Sequence, residues 1–193
     1  MKSFQRKGAV ELSVGTIVIL VIGMTMLVLG ILLVRTIFST ATESVELIDE
    51  GVKNEINELF SSDSSKKVVV NLPDNEVDVK KGEGFGISFG IRNLIEDTES
   101  TDFKYVISVP GQGNIERGCN LDPERANQYL KLNYELDRIN IEAGKTKAFF
   151  VRVEPSNSAP LCSISYQIKV EYYDGTTWKS YDSEQFTINI VAD

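Results

Sequence analysis

Two cysteines, Cys119 and Cys162, are the residues of this sequence whose chemistry is simplest to state. An even pair of cysteines in an oxidising compartment forms a disulfide. The bond would close a loop of 43 positions and would stabilise the fold by roughly 3–4 kcal/mol on the chain-entropy account. The alternative is two unpaired, buried thiols. We predict the disulfide, which would tie the long segment 110–135 to the start of a core strand.

Histidine is absent from all 193 residues. This removes the side chain most often used for proton transfer near neutral pH, and a zinc site would have to rest on carboxylates. The sequence contains no nucleophile elbow, no phosphate-binding loop and no catalytic pair. We therefore predict that the protein is not an enzyme and has no catalytic residue, metal site or cofactor.

The charges are distributed unevenly along the chain. Lys2, Arg6 and Lys7 precede the first acidic residue, Glu11, whereas after Arg35 there are 16 Lys and Arg residues against 27 Asp and Glu residues. Nucleic-acid binding needs clustered cations on the globular part of a protein, so we expect no nucleic-acid partner. An acidic body favours solubility and suits a protein that works outside the cell.

An uncharged apolar run occupies residues 12–34. A helix needs about 20 apolar residues to cross the bilayer, which predicts a transmembrane segment here. The alternatives are a buried helix of a soluble protein and a cleaved secretory signal. Because the cations precede the run, the positive-inside rule predicts a single-pass membrane protein with a cytoplasmic N-terminus and an extracellular C-terminal domain.

Small and apolar residues recur along one side of this segment and beyond it. Gly15, Gly23 and Gly30 follow Gly8 at steps of 7, 8 and 7, and an apolar stripe then continues with steps of three and four. Glycines on one face allow helices to approach closely, and a period near 3.67 residues keeps one face aligned over many turns. The apolar part needs cover from a partner helix or from the protein's own β domain. We predict one long helix that self-associates through Gly15, Gly23, Gly30, Ile37, Val45, Ile48, Val52, Ile56 and Leu59.

The N-terminus resembles that of type IV pilin-like proteins, particularly archaeal pilins and archaellins. The resemblance is carried by a basic leader ending in Lys7-Gly8, by Ala9-Val10-Glu11, and by the apolar run that follows. It implies that a prepilin-type peptidase, a partner of the precursor, cuts after Gly8, so that Lys7, Gly8, Ala9 and Glu11 form the processing site. Glu11 would be third in the mature chain, whereas the family's acidic residue is usually fifth. The resemblance implies that this carboxylate pairs with a neighbouring subunit's amine, and the alternative is a glutamate that interacts with the helix dipole.

The remainder of the chain has the pattern of a strand-rich domain. About eight short apolar or alternating segments between residues 67 and 193 are separated by turn residues, and YYDGTTW at 172–178 predicts a tight hairpin. The segments ISFGIRN, EAGKTKAFFVRVEP and SYQIKVEYYDG resemble those of fibronectin-III-like and CARDB-like immunoglobulin-fold modules. The resemblance implies an antiparallel β-sandwich. Trp178, Tyr172 and Tyr181 would belong to its core or, alternatively, to a carbohydrate-stacking patch.

These observations predict an α+β protein in which a long N-terminal helix precedes an antiparallel immunoglobulin-like β-sandwich. The predicted domains are a leader (1–8), a helix (9–60) with transmembrane (12–34) and stalk (35–60) parts, a linker (61–66) and an extracytoplasmic sandwich (67–193). The predicted function is a structural subunit of a type IV pilus-like or archaellum-like surface filament. Its helices would assemble into a homo-oligomer with the sandwich facing outward. The alternative is a permanently membrane-anchored adhesin or receptor module.

Overall fold

A computed structural model of the protein describes residues 14–43, 50–96 and 98–192, and within 14–43 it describes the side chains of 15–31. The chain divides into two units, Met1–Glu46 and Leu47–Asp193. The first unit contains helix α1, Val14–Glu43, and the second contains helix α2, Glu50–Ser62, followed by the β-sandwich.

The prediction of one long helix over residues 9–60 is wrong. α1 ends at Glu43 and α2 begins at Glu50, and the two helices belong to different units. α2 begins with an acidic residue, which the partial positive charge of a helix N-terminus stabilises. A continuous apolar period does not distinguish one helix from two, because each α-helix has the same repeat.

The predicted membrane span at 12–34 is also contradicted. In the part of the chain that the structure describes, no helix has both the length and the apolar character needed to cross a bilayer. The single-pass membrane location, with an extracellular C-terminal domain, is therefore wrong as predicted.

The second unit is a sandwich of two sheets, which in the described residues comprise nine strands. The four-stranded sheet has the order β1-β3-β7-β5 and the five-stranded sheet the order β2-β9-β8-β4-β6. The strands are β1 (Val68–Val70), β2 (Glu76–Lys80), β3 (Phe85–Arg92), β4 (Ser100–Ser108), β5 (Leu130–Leu132), β6 (Glu135–Glu142), β7 (Thr146–Val153), β8 (Ser163–Tyr173) and β9 (Trp178–Val191). A short helix, α3 (Pro123–Asn127), lies in the excursion between β4 and β5.

The five-stranded sheet is mixed, so the prediction of a purely antiparallel sandwich is wrong. β2 pairs in parallel with β9, from Glu76 opposite Thr187 to Lys80 opposite Val191. A parallel pair needs a long connection between its strands, and most of the domain lies between these two. The alternation of apolar residues within a strand does not encode the direction of its neighbour, so the sequence pattern could not reveal this pairing.

The core lies between the two sheets and is built by alternating residues of the long strands. Phe89 of β3 makes an edge contact with Tyr105 of β4, with ring centroids 5.1 Å apart, and stacks on Phe149 of β7 at 5.3 Å. Burial of the Tyr105 ring raises the pKa of its hydroxyl. The other large side chains of this core that are inaccessible or nearly so include Ile87, Ile91, Phe103, Ile107, Val151, Ile164, Tyr166, Ile168, Phe186 and Ile188.

α2 packs on the outer face of the four-stranded sheet. Ile56 and Phe60 are fully buried there against Val69. Val69 lies opposite Gly90, which in turn lies opposite Ala148. The small residues of this row leave room for the helix. A Cβ atom at Gly90 would lie 2.5 Å from Cγ2 of Ile56 and 2.8 Å from Cε2 of Phe60.

Two polar contacts hold α2 at this position. The guanidinium of Arg92 lies 4.4 Å from the centroid of the Phe60 ring, within the range of a cation–π interaction. Nδ2 of Asn71 donates a hydrogen bond of 2.7 Å to Oε2 of Glu55. The protein's own sheet thus covers the apolar face of α2. The sequence left this open as one of two alternatives, the other being a partner helix.

We expect Gly90→Ala to lower the free energy of unfolding of the second unit by about 1–3 kcal/mol, because the new methyl group overlaps Ile56 and Phe60. Gly86→Ala on the same strand is the matched control, since a Cβ atom there has nothing within 4 Å. This variant should be neutral or more stable by up to about 1 kcal/mol. Urea unfolding followed by tyrosine and tryptophan fluorescence measures both. Equal midpoints for the two variants would show that α2 is not docked over Gly90.

Candidate functional site

The described part of α1 is apolar on all sides. Its large side chains between Ile17 and Ile31 have exposed fractions between 49% and 73%. The hydroxyl of Thr25 donates to the carbonyl of Ile22 at 2.8 Å, so this polar group is satisfied within the helix. A helix that is apolar all round is normally buried, and an exposed apolar surface of this kind marks an interaction site.

The glycines distinguish one side of this helix from the other. At about 100° per residue, Gly15, Gly23 and Gly30 fall within an arc of about 80°, with Val21 roughly opposite. A Cβ atom at Gly23 or at Gly30 would have nothing within 4 Å. This face is therefore the one along which another helix could approach the backbone of α1 most closely.

The other residues predicted to mediate self-association have different surroundings. Ile56 is fully buried, and Val52 and Leu59 are partly buried, in the contact of α2 with its own sheet. Ile37 belongs to α1, but its side chain is not among those described. Val45 and Ile48 lie outside the described residues, as do the residues of the predicted processing site, Lys7, Gly8, Ala9 and Glu11.

The two cysteines form the disulfide that their number suggested. The Cα atoms of Cys119 and Cys162 are 5.8 Å apart, and Cys162 immediately precedes β8. The same loop is held by the backbone N–H of Ser163, which donates at 2.9 Å to Oε2 of Glu116, and by a bridge between Ile115 and Ile164. The disulfide thus fastens the excursion after β4 to the start of a core strand.

A buried tyrosine fixes the far end of this excursion. The hydroxyl of Tyr166 on β8 donates a hydrogen bond of 2.7 Å to the carbonyl of Ala126 in α3. Burial raises the pKa of Tyr166, so the hydroxyl remains a donor. α3 starts at Pro123, and Oδ1 of Asp122 accepts from the N–H of Arg125 at 2.9 Å, which is a helix N-cap.

The hairpin between β8 and β9 has a turn organised by Asp174. Its Oδ1 accepts hydrogen bonds from the N–H groups of Thr176 and Thr177 at 2.9 and 2.8 Å, and its Oδ2 lies 2.6 Å from Nζ of Lys179. The hydrogen bond from Lys179, followed by those from the two threonines, holds the pKa of this carboxyl group well below its ordinary value. Gly175 adopts a φ of +95°, which accounts for glycine in this turn.

The aromatic residues of this hairpin are engaged by other side chains. Nζ of Lys104 lies 4.7 Å from the ring centroid of Trp178, and Arg138 lies 6.0 Å from it. The Tyr181 hydroxyl donates to the carbonyl of Arg92 at 2.8 Å, and its ring makes edge contacts with Phe103 and Tyr172. These contacts fit a packing role better than a carbohydrate-stacking patch.

Among the described residues no group of His, Cys, Asp or Glu could hold a metal ion.

No family model and no curated protein matches the chain. Solved structures with a similar fold include a protein of unknown function from Porphyromonas gingivalis (TM-score 0.41, 11% identity, 66% of this chain and 49% of that one). A second is native alpha-2-macroglobulin of E. coli (TM-score 0.43, 14% identity, 66% of this chain and 7% of that one). A third is the PapD-like domain 7 of human CEP192 (TM-score 0.38, 11% identity, 66% of this chain and 85% of that one). The chain spans about half the length of the first protein. Likenesses this distant carry no conclusion about function.

We expect the double variant Cys119→Ala, Cys162→Ala to lose about 2–5 kcal/mol of unfolding free energy, because the unfolded chain is no longer constrained by the loop of 43 residues. Urea unfolding without reductant measures the loss. The parent protein in dithiothreitol is the matched control and should approach the variant, whereas the variant itself should not respond to reductant. A parent midpoint that is unchanged by reductant would show that the bond does not constrain the fold.

Proposed function

We propose that the chain is a structural subunit of a type IV pilus-like or archaellum-like filament, assembled through α1. The observation that supports the proposal is the exposed apolar surface of residues 15–31. Complete burial of a large aliphatic side chain is worth roughly 1.5–3 kcal/mol, and twelve such side chains are exposed between Ile17 and Ile31. Packing against identical helices would remove this surface from water.

The glycine face favours copies of the same helix as the partner. Close approach at Gly23 and Gly30 brings backbones together and gives the contact a defined side. The sandwich would then face outward, where its acidic surface keeps the assembly soluble. In this proposal α2 plays no part in the contact between subunits, since its apolar residues are already buried within the second unit.

We expect Gly23→Leu to abolish filaments, because a leucine side chain on the glycine face holds the helices apart. Val21→Leu introduces the same residue on the opposite side of α1 and should assemble like the parent chain. Negative-stain electron microscopy and sedimentation velocity measure assembly, and near-ultraviolet circular dichroism checks that the sandwich remains folded. Assembly of the Gly23→Leu variant at the parent's level would contradict the proposed glycine interface.

A second experiment addresses the processing implied by the N-terminal resemblance. Mass spectrometry of the native protein from assembled material should find a new N-terminus at Ala9. Gly8→Val should leave the leader in place, because the peptidase site implied by the resemblance contains this glycine, whereas Ser3→Ala in the same leader should be processed normally. Filaments that retain Met1 would exclude the processing step while leaving the role of α1 open to the Gly23 test.

A further inference from the structure

A polar cleft with a volume of about 510 Å³ lies beside the disulfide of the second unit. It is bounded by three segments: the loop at 119–121, the residues of α3 and beyond at 125–131, and the turn at 156–160. Small-molecule sites in proteins commonly have volumes of about 300–1,000 Å³, so the cleft has room for a ligand larger than a single inorganic anion.

The walls of the cleft are held by contacts that exist without a ligand. The disulfide of Cys119 fixes one wall. Tyr129 is 8% exposed, and its carbonyl accepts a hydrogen bond of 2.8 Å from the N–H of Glu154. The turn that forms the third wall is closed by the N–H of Ala159, which donates to the carbonyl of Ser156 at 2.9 Å. The backbone of the cleft walls is therefore held in place without a ligand, which reduces the entropy that the protein loses on binding.

The charge of the cleft is opposite to that of the protein. Arg125 and Lys131 line it, and no carboxylate does, although the chain as a whole has a net charge of −8. Nε of Arg125 lies 3.4 Å from Oδ2 of Asp122. A guanidinium carries five N–H donors, so this contact leaves further donors for a ligand. Lys131 and the remaining donors of Arg125, which is paired with Asp122, attract an anionic group.

The remaining lining is rich in neutral hydrogen-bonding groups. Ser156 and Ser158 lie together, with their hydroxyl oxygens 3.2 Å apart, and the amides of Asn120 and Gln128 complete the polar set. Hydroxyl and amide groups both donate and accept hydrogen bonds, as the hydroxyl groups of a sugar do. We propose that this cleft binds an acidic saccharide, a sugar ring that carries a carboxylate or sulfate group. Arg125 and Lys131 would bind the acidic group, and the serines and amides would bind the ring hydroxyls.

The proposal is tested on the full chain by isothermal titration calorimetry with a disaccharide containing glucuronic acid. The matched ligand is the neutral glucose disaccharide with the same linkage, and inorganic sulfate and a short glutamate peptide test the acidic group alone. The acidic disaccharide should bind, and its affinity should fall as salt is raised, because exposed charges are screened. The other three ligands should bind at least roughly tenfold more weakly, the difference expected when charge-assisted or hydroxyl contacts are lost.

Variants locate the binding within the cleft. Arg125→Gln and Lys131→Gln should each lower the affinity for the acidic disaccharide roughly tenfold or more. Lys80→Gln on β2, which removes one exposed cation elsewhere, should leave its affinity unchanged. Ser156→Ala should lower the affinity for the acidic disaccharide and leave the weaker affinity for sulfate unchanged. A purely electrostatic contact would not produce this difference between the two ligands.

Three results would overturn the proposal. Equal binding of the neutral disaccharide would exclude recognition of the acidic group. Equal binding of sulfate or of the glutamate peptide would show that the cleft recognises an anion without a sugar. Equal loss of affinity in Lys80→Gln and Lys131→Gln would place the binding outside the cleft. None of these results depends on filament assembly, so the proposed function is tested separately.

Discussion

The four-stranded sheet has to be covered on both of its faces, and the second unit is arranged around this requirement. Its inner face packs on the five-stranded sheet through residues such as Phe89 and Phe149. Its outer face carries the row Val69, Gly90 and Ala148, which water would otherwise reach. α2 covers that row with Ile56 and Phe60. The contact depends on a glycine, because a methyl group at position 90 would overlap both helix side chains.

The two-sided burial explains a difference between the strands that is visible in the sequence. β1 is a continuous apolar run, Val68–Val70, and all three of its residues are buried. β8 alternates between buried and partly exposed residues along most of its length, as expected for a sheet with one face on the core. The sequence thus contained evidence that something covers the outer face of the four-stranded sheet.

Several features of the second unit could be predicted from the sequence. The sandwich and its hairpin at Asp174-Gly175 follow from local signals: alternation, turn residues and a glycine that accepts positive φ. The disulfide follows from the number of cysteines. The apolar period of Val52, Ile56 and Leu59 predicted a helix that buries one face, and this was sound. The period could not show what covers that face, and the assignment of these residues to one long stalk was wrong. The membrane crossing predicted at 12–34 is contradicted by a separate finding.

Features assembled from distant segments had no local signal at all. The polar cleft joins residues 119–121, 125–131 and 156–160. They meet because Leu130 of β5 pairs with Val153 of β7 and because the disulfide draws the loop towards β8. Neither Arg125 nor Ser156 stands in a recognisable motif. The parallel pairing of β2 with β9 was missed for the same reason, since it joins opposite ends of the domain.

α1 and α2 differ in whether their apolar surface is buried within the chain. α2 is amphipathic, and its own unit satisfies its apolar side. The described part of α1 has no polar side that could face water, so contact along any one face leaves the others exposed. In the proposed filament, several identical helices rather than a single partner would therefore cover α1. The acidic body opposes side-by-side association of the sandwiches. In the proposed filament, growth would add helices to a shared core, and the glycine face would set which sides approach most closely.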